Sequence, residues 1–149
     1  MSLFGPLDIS ASGLTAERLR LDLVANNLAN ADTTRTPGGG PYRRQLPVFA
    51  PGGVADGVLA AAAGAAIPGA GEAAGVTVVG IVSDPAPGPL RYDPTHPDAG
   101  PDGFVRLPNV DPTKEMVDLV AASRAYQANV TAFEAGKNMF RAGLDIARG

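Results

Sequence analysis

The 149-residue chain contains no cysteine and no tryptophan. Without cysteine there is no disulfide, no thiolate nucleophile and no Cys-ligated zinc or iron–sulfur centre. Aromatic residues make up only 5% of the chain, and although 45% of it is apolar, 26 of those residues are alanine. Few large side chains remain to fill a core, which argues against a compact enzyme built around a deep pocket. Charge of one sign is not in excess either. Twelve basic against 15 acidic side chains leave a net charge of −3, too weak a field to hold a nucleic-acid backbone or an anionic membrane. No run of about 18 large apolar residues offers a membrane span. The segment from Met1 to Asp8 lacks the basic start of a cleavable signal, and Gly5 and Pro6 break its apolar run.

What the chain does have is an uneven distribution of proline. Thirteen of the 14 prolines lie between Pro37 and Pro112, and the other is Pro6. Two long segments, Leu7 to Thr36 and Thr113 to Gly149, are therefore free of the strongest helix breaker. The first carries Leu7, Leu14, Leu21 and Leu28 at seven-residue spacing, with Ala11, Val24, Ala25 and Ala31 on the same side, the pattern of a helix with one apolar stripe. Gly13 marks its weaker end, since glycine costs up to about 1 kcal/mol relative to alanine inside a helix. In the second segment, Asp111 is placed to cap the first-turn amides and Pro112 suits the first helical position. A heptad follows, with Leu119, Tyr126, Phe133 and Phe140 in one row and Met116, Ser123, Val130, Lys137 and Leu144 in the other. Alanines and Gly136 flank this seam, giving a narrow helix that can be approached from several sides. So short a middle region cannot wrap both helices. They must pack on each other, on other subunits, or on both.

The middle reads as β-rich. Pro41 to Phe49 and Gly75 to Val82 have strand character, with shorter strands expected at Leu90 to Tyr92 and Gly103 to Leu107. The tract from Gly52 to Gly75 is dominated by Ala and Gly and reads as a flexible loop, with room for a short helix near residues 59–66. The expected fold is thus α+β. Residues 1–36 and 112–149 form two terminal helices packed as a coiled coil, around a β-rich region at 37–111.

Nothing in the sequence assembles a reaction centre. His96 is the sole histidine, no Ser and Asp spacing makes a triad with it, and it reads as a solvated loop residue. Asp93, Asp98 and Asp102 lack the alternation and terminal Glu of a calcium loop and read as turn formers. Gly38-Gly39-Gly40 lacks the Lys-Ser/Thr of a phosphate loop and reads as a turn. No catalytic, metal or cofactor residue is assigned. Asn26, Asn27 and Asn30, at the end of a leucine-striped helix, either terminate it or form a polar contact with the next element. Arg35, Arg43 and Arg44 are the one basic cluster and read as a solvated face or an inter-subunit ion pair.

Taken together, the run from Val24 to Arg44 (VANNLANADTTRTPGGGPYRR) resembles the N-terminal signature of the bacterial flagellar rod and hook proteins. Within that family the loop YDPTHPDA at Tyr92 to Ala99 and the run PNVDPTKEMVDLVAASRAYQANV at Pro108 to Val130 are similar to the proximal rod members. The likeness covers residues 5–50 and 75–148, and the Ala/Gly tract looks longer than the family pattern. The resemblance implies a structural subunit without catalysis or cofactor. It implies export by the flagellar type III apparatus without a cleaved signal, and assembly in the part of the rod that crosses the periplasm. The terminal helices would form the inner tube. Implied partners are further copies, other proximal and distal rod proteins, the export-gate adaptor and the surrounding rings. By analogy the assembly seam comprises Leu14, Leu21, Leu28, Leu119, Tyr126, Val130, Phe133 and Phe140, with Asn27 and Asn30 as the signature contact. The rival readings are another rod or hook subunit, and a non-flagellar helical hairpin used as an adaptor.

Overall fold

The computed structural model describes residues 5–52 and 75–148. The Ala/Gly tract and the helix considered near 59–66 lie outside the described residues. Helix α1 spans Gly5–Ala29, strands β1 to β4 span Gln45–Pro51, Val76–Ser83, Leu90–Tyr92 and Phe104–Arg106, and helix α2 spans Pro112–Arg148. This is the expected α+β arrangement, with all four strands close to where β-branched and aromatic residues placed them. β1 pairs with β2, and β3 with β4 as an antiparallel hairpin in which Leu90 faces Arg106, Arg91 faces Val105 and Tyr92 faces Phe104.

Both helix boundaries follow from polar side chains. α2 starts as the sequence signals: the Thr113 amide donates to Asp111 Oδ1 at 3.0 Å, and Pro112 occupies the first turn. α1 ends well short of Thr36. The Asn30 side chain turns back to the Asn26 carbonyl at 2.9 Å and the Asn26 side-chain oxygen at 2.8 Å, offering the backbone an alternative to the next helical bond. A tight turn follows, in which Gly39 and Gly40 take positive φ and the Thr36 amide donates to the Gly40 carbonyl at 2.9 Å. The Tyr42 amide then bonds the Thr33 carbonyl at 3.0 Å.

The chain divides into two compact units. Unit 1 holds residues 5–19, 48–52, 75–80 and 122–148 among those described. Its buried side chains are small, Ala16 and Ala122, and its two helical segments run antiparallel, Leu7 lying against Gly136 and Gly13 against Asn129. The Val76 amide donates to Ser12 Oγ at 3.0 Å, which ties β2 to α1.

Unit 2 holds Arg20–Pro47 and Ile81–Ala121. Here Leu23 and Val24 of α1, Val105 of β4 and Pro108 are buried. Thr34 Oγ1 donates to Asp98 Oδ2 at 2.8 Å, joining the segment after α1 to the loop of the β3–β4 hairpin. At Gly88 an added Cβ would collide with the Leu107 carbonyl oxygen and lie 2.8 Å from the Pro108 carbonyl carbon. Both obstacles are backbone. Gly88→Ala is therefore expected to destabilise the fold by about 1–3 kcal/mol, whereas Gly80→Ala, with open space around it, should leave the thermal midpoint unchanged or slightly raised. Equal midpoints for the two variants would refute the close approach.

Candidate functional site

The last turns of α1, the approach to β1 and the first turn of α2 meet in unit 2 around a carboxylate with no solvent exposure, Glu115 at 0%. Helical spacing brings it there. Glu115 lies four residues before Leu119 and seven before the buried Ala122, so it shares their face. Its Oε1 accepts from Arg44 Nε, and its Oε2 accepts from Asn27 Nδ2 at 3.1 Å. Asn27, also 0% exposed, uses its whole hydrogen-bonding capacity. Nδ2 also donates to the Gln45 carbonyl at 2.9 Å, while Oδ1 accepts from the Tyr42 hydroxyl and the Gln45 amide, each at 2.9 Å. The donors on one side and acceptors on the other fix which way the amide points.

Arg44 links this core to its surroundings. Its Nη2 donates to Asp118 Oδ2 at 2.8 Å, its amide donates to Asn109 Oδ1 at 2.8 Å, and its carbonyl accepts from the Asp84 amide at 2.8 Å. Asn109 Nδ2 in turn donates to the Asp84 carbonyl at 3.3 Å. Arg20 adds a looser ion pair to Asp118 at 3.8 Å. Burial raises the Tyr42 phenol above its ordinary value of 10.0, and the nearby Glu115 carboxylate raises it further. An open depression of about 290 Å³ lined by Arg44, Thr113, Lys114, Val117 and Asp118 lies beside the network. Chemically the arrangement is a clamp: it satisfies buried polar groups from three segments and leaves none poised for proton transfer.

Several readings are corrected here. Arg44 is neither on a solvated face nor waiting for another subunit, because an intrachain carboxylate captures it. Arg43 reaches the Pro85 carbonyl at 3.4 Å, and exposed Arg35 pairs with Asp98 at 3.4 Å. The three asparagines divide the two roles considered for them: Asn26 and Asn30 terminate α1, and Asn27 makes the polar contact. His96 is half-buried rather than solvated, its Nδ1 accepting from the Asp98 amide at 3.1 Å. Asp93 is a turn former. Its Oδ1 accepts from Thr95 Oγ1 at 2.8 Å, which lowers its carboxyl pKa. Among the described residues no group of three or more His, Asp or Glu is placed to hold a metal ion.

Of the remaining seam residues, Leu14, Leu21, Leu28, Asn30, Leu119, Tyr126, Val130, Phe133 and Phe140 are all half-buried. In the second heptad row of α2, Ser123 and Val130 are half-buried, while Met116 and Leu144 are 55% and 47% exposed and Lys137 is also exposed. A further row, one position earlier, also faces inward: Glu115, Ala122, Asn129 and Gly136 are buried or half-buried. Small and polar residues there let the helices approach closely at Gly13 and Gly136. Glu115 and Asp118 were missed as functional residues. The available signal was a carboxylate in the same row as Ala122, which requires a buried cation.

Replacing Arg44 by Met should strand the Glu115 carboxylate and lower stability by about 3–5 kcal/mol in urea unfolding. A loss no larger than the about 0–1 kcal/mol of a surface pair would show that the network does not hold the joint. The raised Tyr42 pKa adds stability that is fully present below the unfolded value and is lost as pH rises through the folded one. In an absorbance titration of tyrosinate, a step above the ordinary tyrosine value should be present, and Tyr42→Phe should remove it. Its persistence in the variant would assign it elsewhere.

Residues 7–35 match the family described as Flagella basal body rod protein, and residues 102–146 match the Flagellar basal body rod FlgEFG protein C-terminal family. The two segments carry Asn27 and Glu115, respectively. The chain is 46% identical to the flagellar basal-body rod protein FlgC of Borreliella burgdorferi, the similarity covering 100% of both chains. It is 44% identical to the FlgC of Bacillus subtilis and 40% identical to that of Escherichia coli O157:H7, in each case over 99% of this chain and 100% of the relative. With identity at this level running from end to end through the asparagine-bearing helix, the clamp and the long C-terminal helix, the chain belongs to the FlgC family of flagellar basal-body rod proteins.

Proposed function

We propose that the chain is a structural, non-enzymatic subunit of the flagellar basal-body rod, needed for flagellum assembly and motility. The carrying observation is full-length identity to rod proteins from distantly related bacteria. The helices add physical support. Their leucine and aromatic rows are half-buried within one chain, so apolar surface remains for subunit contacts to cover. A head-to-tail contact of this kind propagates into a helical tube instead of a closed ring.

At finer detail, the terminal helices pack as a coiled coil and line the hollow drive shaft, and the rod segment is the proximal one, crossing the periplasm. The seam is Leu14, Leu21, Leu28, Leu119, Tyr126, Val130, Phe133 and Phe140; Asn30 lies at its signature contact, and Asn27, fully buried and saturated within the chain, serves that contact only indirectly, by holding the end of α1 in place. The region at 37–111 lies outside the two helical regions, 1–36 and 112–149. Partners are other copies, proximal and distal rod proteins, the export-gate adaptor and the surrounding rings, reached after type III export without a cleaved signal. The Tyr92 to Ala99 loop and the Arg124 to Asn129 run support the proximal assignment over other rod and hook subunits.

Phe133→Asp would bury an unpaired charge in the tube. The expected result is a non-swimming cell in which the protein is still made and exported; normal swimming would remove Phe133 from the seam. Far-ultraviolet circular dichroism against concentration separates the reading from the adaptor alternative. Helicity gained on self-association supports a rod subunit, and a dilute monomer with both helices fully formed and melting sharply favours a self-contained hairpin.

A further inference from the structure

The two helical segments of unit 1 meet through glycines in a reciprocal way. A Cβ on Gly13 of α1 would lie 3.0 Å from Asn129 Nδ2, and a Cβ on Gly136 of α2 would lie 2.9 Å from Leu7 Cδ2. Each helix thus supplies one knob and one notch, the knob of each seated over the glycine of the other. Gly143 lies seven residues after Gly136 on the same row of α2, yet a Cβ there would meet nothing within 4 Å. Contact with α1, and not the presence of glycine, singles out Gly136.

We infer that Gly13 and Gly136, with their knobs Asn129 and Leu7, are positioning residues that set the register of α1 against α2. The alternatives to be excluded are slips of one heptad, about 10 Å along the axis, which keep the same faces together. A slip that brings Gly143 opposite Leu7 sets Gly136 opposite Gly13, so the two notches face each other and Asn129 loses its seat. The opposite slip sets Leu7 on Asn129 and Ala122 on Gly13, so the leucine meets a polar side chain and Gly13 loses its knob. Only the observed register seats both knobs. The small inward row of α2, which carries little burial energy of its own, then gains specificity from shape. A polar residue at a core position fixing register at some cost in stability is a known device of paired helices. The functional consequence rests on the rod reading: a subunit that polymerises through its outer helix faces must present them at one fixed height.

The test uses the full-length protein and the same substitution at two glycines of one helix. Gly136→Leu and Gly143→Leu gain the same helix propensity, so their difference isolates the contact. Gly143→Leu should leave the thermal midpoint unchanged or raised, and Gly136→Leu should lower it by at least about 2–4 °C. Adding Leu7→Ala to Gly136→Leu should recover most of that loss, because it exchanges knob for notch. Equal midpoints for the two glycine variants, or additive losses without recovery, would overturn the inference. The same variants read by swimming provide a second measure: Gly136→Leu impaired and Leu7→Ala/Gly136→Leu restored supports the register role, and impairment without restoration counts against it. Should the thermal cycle hold while none of the variants, nor removal of the protein, affects swimming, the rod reading fails and the register assignment stands.

Discussion

Glu115 places a carboxylate where no water reaches it, and an uncompensated charge in such a position costs several kcal/mol. Every segment that touches it is therefore held to a narrow range of positions. Arg44 must arrive from the strand side with its guanidinium edge on one oxygen, and Asn27 must arrive from α1 with its amide nitrogen on the other. Those two demands fix where α1 has to end and where β1 has to begin. Tyr42 and Gln45 complete the amide's bonds, and Asn109 extends the same constraint to the segment after β2. A small protein with few large apolar side chains has here replaced some hydrophobic bulk with a saturated polar cluster, which specifies geometry more strictly than packing alone would.

The clamp and the helix pairing of unit 1 solve different problems. In unit 2 directional bonds hold three segments, whereas in unit 1 the buried side chains are alanines and the contacts are glycines under knobs. The first arrangement tolerates little chemical change. The second depends on size, so a substitution there acts through volume instead of charge. Gly13 shows how the same residue reads differently at the two levels: its helix propensity marks a weakness, while its missing side chain makes room for Asn129.

The elements were legible because they rest on local rules. Proline placement set apart the two helical regions, Asp111 and Pro112 marked the start of α2, and β-branched runs located the strands. The family was legible because its signature lies in contiguous runs. The clamp was only half legible. Asn27 drew attention as an amide on a leucine-striped helix, but Glu115 and Asp118 looked like ordinary charges on a long helix, and Arg44 looked like a member of a surface cluster. The small inward row through Glu115, Ala122, Asn129 and Gly136 was not legible for a related reason. Large apolar residues mark a seam in the sequence, while a close helix approach also uses small ones such as Ala122 and Gly136. Such choices depend on partners far along the chain, which periodicity within one helix cannot supply.

That distance along the chain has a kinetic side. Asn27 and Glu115 are 88 positions apart, and Arg44 and Glu115 are 71 apart, so no local turn can form the cluster and its contact order is high. Closing so long a loop costs entropy before any bond is gained. A chain that emerges from a ribosome or a channel with its N-terminus leading carries Asn27, Tyr42 and Arg44 without their carboxylate until residue 115 follows. Until then unit 2 lacks the group around which it is organised. Completion of unit 2 thus waits for the last third of the polypeptide, whatever helix the leading part has already formed.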